Sequence, residues 1–130
     1  MSDLPDSPAA LAHAFAAAIN RQRPDELAAL MTEDHVFIDA LDNRVAGRET
    51  MRAAWRGYFS LVPDYTITVE ETYSAGPVEV MLGTAQGTTN GGWWQTPAAW
   101  RAEIRGSQIA SWRLYADNEP IRKLLANQPK

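Results

Sequence analysis

The chain has no cysteine. That excludes disulfides, thiolate metal sites and cysteine nucleophiles, and it suits a reducing compartment. It also lacks any apolar run near the ~20 residues that a membrane-spanning helix needs. The opening MSDLPDSPAA is acidic, without the basic-then-apolar layout of a secretory leader. These absences predict a cytoplasmic protein with no membrane partner. Basic density is missing too. A net charge of -4 is mild, and it argues against a nucleic-acid binder. Histidine is scarce: His13 and His35 stand alone, which does not make the convergent ligand set of a metal site.

What is present fits one globular domain spanning residues 1–130, with a core over about 8–125. The length of 130 residues can bury a core without metal or disulfide staples. Hydrophobic residues make up 45% and charged ones 22%, an ordinary mix. The five tryptophans are the unusual feature, since rings that bulky usually line a core, a pocket or an interface.

Along the chain, Ser7-Pro8 is a helix start, followed by Leu11, Phe15, Ala18 and Ile19 at helical spacing. Pro24 with Asp25 and Glu26 opens a second, short helix that buries Leu27, Leu30 and Met31. A short strand follows, and then DNRVAGRE as a turn-rich link. A third helix runs over about 49–61, with Met51, Trp55, Tyr58, Phe59 and Val62 as its apolar stripe and Pro63 as its stop. The period then changes from helical to alternating. YTITVEETYS, VEVMLGTAQGTT, TPAAWRAEIR and QIASWRLYA read as strands, the last two as a hairpin. NGGWWQTP reads as a loop whose Trp93 and Trp94 face opposite ways. One of them would close a cavity mouth as a lid or meet a neighbouring copy. A closing helix carries Ile121, Leu124 and Leu125, with Asp117 and Asn118 as cap candidates. Helices first and antiparallel strands after argue for an α+β fold, with helices gathered on one face of a curved sheet and a conical cavity between. The other sheet face is left for solvent or a partner subunit.

The stretch DHVFIDAL, residues 34–41, carries the sharpest candidate. As a strand it puts His35, Phe37 and Asp39 on one face and Val36, Ile38 and Ala40 on the other. A carboxylate that shares a face with a phenylalanine either meets solvent at a strand end or lines a cavity that uses an acid. Inside a cavity walled by aromatic rings it would lose hydration, and its pKa would rise toward working pH. That suits abstraction of a proton from a C–H beside a carbonyl. His35 lies about 13 Å from Asp39 along such a strand, at the far end of the cavity.

Taken together, the helices, the short strand ending in an acid, the GRE turn into an aromatic helix and the closing W-R-x-Y-x-D resemble the NTF2-like superfamily. More narrowly, the chain resembles the SnoaL-like polyketide cyclases and the ketosteroid isomerases over nearly its whole length. The resemblance implies a cone of three N-terminal helices packed on a strongly curved, mostly antiparallel sheet, closed by a short C-terminal helix. It places the general base of the isomerases on Asp39, within MTEDHVFIDALDNRVAGRETM. It places their donor tyrosine on Phe15 and their protonated aspartate near Ala99 or Trp100. Neither supplies that donor, so the isomerase oxyanion hole is missing and steroid isomerisation is disfavoured. The acid of the epoxide hydrolases of this fold falls on Leu114, which disfavours that reaction as well.

The expected pocket is lined by Phe15, His35, Phe37, Trp55, Tyr58, Phe59, Trp100, Trp112, Leu114 and Asp117, with Asp39 as the acid. It would hold a small, flat, apolar, carbonyl-bearing molecule and need no cofactor, because side chains alone transfer the proton. Tyr58, Tyr65, an indole N–H or Arg101 would stand in as oxyanion donors. A non-catalytic binder with Asp39 as a hydrogen-bond anchor is the alternative, and so is an interaction module. A homodimer through the open sheet face is compatible with all of these. The hairpin register, which decides whether Trp100 and Trp112 or Arg101 and Arg113 face the pocket, stays open.

Overall fold

The computed structural model describes residues 7–116. Asp117 and the closing helix lie outside the described residues. Helix α1 (Pro8–Asn20) begins as its sequence dictates: the Ser7 hydroxyl accepts from the Ala10 N–H at 3.0 Å, and Pro8 fills the first turn. Its buried stripe is Leu11, Phe15 and Ile19. Asn20 ends it and docks it to the sheet. The Asn20 amide donates to the Ile67 carbonyl at 2.8 Å and accepts from the Ile67 N–H at 2.7 Å, as a strand neighbour would. Helix α2 (Pro24–Ala29) is short and buries Leu27 completely.

Strand β1 (Met31–Ile38) follows, then β2 (Arg44–Ala46), helix α3 (Arg48–Leu61) and strands β3 (Thr66–Ala75), β4 (Val78–Thr89), β5 (Gly92–Arg105) and β6 (Gln108–Ala116). The six strands form one sheet in the order β2-β1-β6-β5-β4-β3. Every neighbouring pair is antiparallel except β1 with β6, which is parallel. The fold is therefore α+β. Two helices precede the first strand, and α3 follows β2. The segment DNRVAGRE is not wholly a link, since its Arg44–Ala46 pairs with β1 as an edge strand.

Bulges bend the sheet. The β3–β4 register shifts between Val69 and Glu71, and the β5–β6 register shifts between Glu103 and Ile104. Gly83 permits the first of these, because a Cβ there would stand 1.7 Å from the Thr68 carbonyl oxygen. Helices α1 and α3 cover the concave face, α1 against β3, β4 and β6, and α3 against β1 and β2. Among the described residues no helix packs on the opposite face, and no helix is long and apolar enough to cross a membrane.

The hairpin register is now fixed. Trp100 pairs with Leu114, Arg101 with Arg113 and Ala102 with Trp112. Trp100 and Trp112 point inward and are each 1% exposed, while Arg101 and Arg113 lie on the outer face. The expected loop around Trp93 and Trp94 is instead regular strand from Gly92 onward, closed by an Asn90-Gly91 turn with positive φ at both residues. The two indoles do face opposite ways: Trp94 is buried and Trp93 exposed. Trp94 is no lid, because its Nε1–H donates to Thr89 Oγ1 at 2.9 Å and its ring packs against Tyr65.

Candidate functional site

A cavity of about 310 Å³ opens between α3 and the β2-β1-β6 half of the sheet. Strand parity builds one wall, as Phe37 and then Asp39 project inward from β1 while Val36 and Ile38 go to the outer face. Trp112 and Leu114 come from the inward positions of β6, and Val45 from β2. Helical spacing builds the other wall from Met51, Trp55 and Tyr58, joined by Ala54. Tyr65, just beyond the helix, completes it. The rings brace one another edge to face: Phe37 on Trp55 with centroids 6.0 Å apart, and Tyr58 on Tyr65 at 5.0 Å.

Six of the expected pocket residues therefore meet around the cavity: Asp39, Phe37, Trp55, Tyr58, Trp112 and Leu114. Four others stand behind it rather than in its wall. Phe15 is fully buried, with its ring centroid 4.4 Å from that of Trp112, whose indole intervenes between Phe15 and the cavity. His35 packs on Phe15, Phe59 backs Trp55 at 5.4 Å, and Trp100 sits in the core of the sheet. Arg101, a candidate oxyanion donor, is on the far side of the sheet and cannot reach the cavity. Val45, Met51, Ala54 and Tyr65 are lining residues that the expected list lacks. Met51 lies one turn before Trp55 on the same stripe, a signal the sequence did carry. Val45 had no such signal, because three residues of edge strand show no periodicity.

Asp39 sits just past the end of β1, half-buried, with both carboxyl oxygens engaged. Its Oδ1 accepts from the Leu41 and Asn43 N–H groups, each at 2.9 Å, and its Oδ2 from the Asn43 side-chain amide at 3.1 Å. Loss of hydration raises its pKa, as expected for a cavity acid. The three hydrogen bonds to the charged form, led by those of Asn43, outweigh that effect. The net result is a carboxyl held below its ordinary value of 3.8, not raised toward neutrality. Asp39 is thus an ionised carboxylate at the cavity wall, a weaker base than the sequence suggested.

The two tyrosines are the opposite case. Burial pushes the Tyr58 phenol up to about 12. Burial, and then the neighbouring Tyr58, push that of Tyr65 higher. Both remain protonated donors through neutral pH, and neither hydroxyl is hydrogen-bonded to another described residue. The Trp55 Nε1–H is buried and has no hydrogen-bond partner either. His35 donates from Nδ1 to the Ile109 carbonyl at 2.8 Å, leaving Nε2 as a buried lone pair without a partner. Desolvation lowers its pKa below 6.5, against the opposing effects of that hydrogen bond and the Asp34 charge. No three His, Asp or Glu side chains converge as a metal site among the described residues.

Comparison with known proteins agrees with this architecture. The profile of the SnoaL-like domain matches residues 12–112. Among curated proteins, none matches the chain. Of the solved structures, a protein called a SnoaL-like polyketide cyclase, from Shewanella denitrificans OS-217, superposes with a TM-score of 0.83. It is 17% identical, over 93% of this chain and 98% of that one. A protein with a ketosteroid isomerase-like fold from Catenulispora acidiphila DSM 44928, in complex with trimethylamine, is 24% identical over 81% of this chain and 83% of that one, with a TM-score of 0.75. An LEH-like epoxide hydrolase of M. tuberculosis is 19% identical over 89% and 86%, with a TM-score of 0.78. At these identities the structures share the fold; their reactions are their own.

Proposed function

The chain belongs to the SnoaL-like domain family, and from that premise we propose that its cavity binds a small, flat, apolar carbonyl compound on which Asp39 acts as proton acceptor. The observation that carries this reading is the pairing of opposite partners in one apolar chamber. An ionised carboxylate and two phenol hydroxyls without a hydrogen bond to a described residue line the same 310 Å³. In the proposed step, Asp39 takes a proton from the carbon next to the carbonyl. The C–H electron pair moves into the new C=C bond, and the carbonyl π pair moves onto oxygen. Tyr58 and Tyr65 donate hydrogen bonds to that enolate oxygen, as an oxyanion hole does. They take the role that Phe15 and Trp100 cannot fill. The proton then returns to a different carbon, which is isomerisation, or the enolate carbon attacks a second carbonyl of the same molecule, whose π pair becomes an alkoxide that takes the proton back from Asp39, which is cyclisation. All groups required are side chains of this chain.

Hydrogen–deuterium exchange at the α-carbon tests the proposal. Flat β-diketones and β,γ-unsaturated ketones would be followed by NMR in D2O with the parent, Asp39→Asn and the double variant Tyr58→Phe/Tyr65→Phe. Expected is enzyme-dependent exchange that falls by 10²-fold or more without Asp39, the usual range for a lost general base. A loss of roughly tenfold is expected without the hydroxyls. Compounds that bind saturably but never exchange would instead favour a binder in which Asp39 is an anchor. One observation favours that second reading: the three hydrogen bonds on Asp39 lower its basicity while keeping its charge. An ionised carboxylate among aromatic faces also suits a cationic ligand, and the Catenulispora relative is in complex with trimethylamine.

A further inference from the structure

The outer face of the sheet carries an arrangement that the cavity does not use. Register aligns Arg44, Ile38, Arg113 and Arg101 across β2, β1, β6 and β5. Arg101 and Arg113 are direct antiparallel partners, so their Cα atoms lie roughly 4.5–5.5 Å apart and their side chains leave the same face. Like charges directly opposite each other on a sheet are destabilising. The chain as a whole is acidic, yet here Arg44, Arg101, Arg105 and Arg113 border one groove of about 500 Å³.

Neighbouring acids pair three of these four arginines and leave one positive charge over. Arg105 is held by Asp34, at 3.1 and 3.2 Å. Glu103 approaches Arg101 only to 3.8 Å. Asp42 meets Nη2 of Arg113 at 3.2 Å. Arg44 has no ion pair with a described residue. The Arg113 Nε–H is buried and has no hydrogen-bond acceptor among the described residues. Its Cζ lies 4.9 Å from the centre of the Tyr115 ring, which fixes the plane of the guanidinium. Two guanidinium forks in register on one face, with Arg44 beside them, are donors that carboxylates and phosphates accept.

We propose that this groove binds a small oxyanion, carboxylate or phosphate, bridged between Arg113 and Arg101 with Arg44 at its side. The anion relieves the repulsion of the paired guanidinium groups. This site is separate from the cavity, because its residues project from the opposite face of the same strands.

Thermal melting at constant ionic strength tests it, with inorganic phosphate in one arm and acetate in the other, on the parent, Arg101→Gln, Arg113→Lys and the control Arg21→Gln. Expected is a saturable rise in Tm for the parent and the control, in whichever arm matches the anion. Arg101→Gln and Arg113→Lys should bind roughly tenfold more weakly, the loss of a charge-assisted hydrogen bond. Without phosphate or acetate, Arg101→Gln should melt no lower than the parent, since it relieves the repulsion. Arg113→Lys keeps the charge and removes only the fork. A parent with no saturable rise in either arm would overturn the proposal, as would an equal response from Arg101→Gln. Sedimentation in the same buffers covers the remaining source of acid: if phosphate splits a dimer, the groove is filled by carboxylates of a second copy and the small-oxyanion site is refuted.

Discussion

Asn43 holds Asp39 twice, its N–H on Oδ1 at 2.9 Å and its side-chain amide on Oδ2 at 3.1 Å. The acid that faces the cavity is thereby aimed and kept charged by a residue four positions later. Replacing Asn43 with Ala removes the side-chain bond and leaves the backbone one. The Asp39 pKa should then move up from its depressed position toward 3.8. Because a depressed carboxyl stabilises the fold above its unfolded pKa and loses that contribution as pH falls through the folded one, the variant should be less stable at neutral pH by about 1 kcal/mol. It should also lose less on acidification. Carboxyl titration by NMR and urea unfolding at two pH values check both signs.

If Asp39 is the proton acceptor, the acid limb of the exchange reaction in the free protein should fall below pH 3.8. The Asn43→Ala variant should shift that limb upward. A limb near pH 6 in the parent would instead point to a different base.

His35 predicts a second pH dependence, in a different window. Its folded pKa lies below the ordinary 6.5, so the unfolded chain binds the extra proton first. The stability it contributes is complete above 6.5 and drains away as pH falls from there toward the folded pKa. His35→Gln retains a donor for the Ile109 carbonyl but does not titrate. Chemical unfolding should show the parent weakening as pH drops below 6.5 and the variant flat across the same interval.

The tyrosine hydroxyls make no hydrogen bond to another described residue, so Tyr58→Phe and Tyr65→Phe should each change stability by less than about 0.5 kcal/mol. Each should weaken binding of a carbonyl ligand by roughly 1 kcal/mol, about fivefold, measured by Trp fluorescence titration. Binding by the parent should also be insensitive to pH between neutrality and pH 10, because the Tyr58 phenol titrates only near 12. A decline across that range would mean a phenol of ordinary pKa.

Two glycines of β4 should respond unequally to alanine. At Gly83 the new Cβ would lie 1.7 Å from a backbone oxygen of β3, which cannot retreat without breaking the bulge. A loss of about 3 kcal/mol or more is expected. At Gly87 the nearest atom is Val62 Cγ1 at 2.6 Å, part of a side chain that can shift, and a loss of about 1–2 kcal/mol is expected. Urea midpoints at unchanged m-values would report the difference.

Parts of the site were legible because they depend on period alone. The 3.6-residue repeat put Met51, Trp55 and Phe59 on the buried side of α3. Alternation put Phe37 and Asp39 together on the inward face of β1. The charge state of Asp39 was misjudged although its cause is local. Asp39, Leu41 and Asn43 stand at the spacing at which an Asp side chain closes a turn on following N–H groups, so the carboxyl is capped by residues within four positions of it. The strand around Trp93 and Trp94 was hidden for another reason. A turn signal at NGG was read as extending through the tryptophans, when Asn90 and Gly91 suffice for the reversal.

By itself, then, the sequence determined which residues share a face and where the helices begin, since both follow from backbone geometry and capping chemistry within a few residues. The tertiary structure alone decided the rest. The β5–β6 register, set by pairing between distant segments, sent Trp100 and Trp112 inward and left Arg101 beside Arg113 outside. The packing of α1 placed Phe15 behind Trp112 instead of in the cavity. And the burial of Tyr58 and Tyr65, in contact across the end of α3, keeps two phenols protonated in the cavity wall, because desolvation penalises the phenolate.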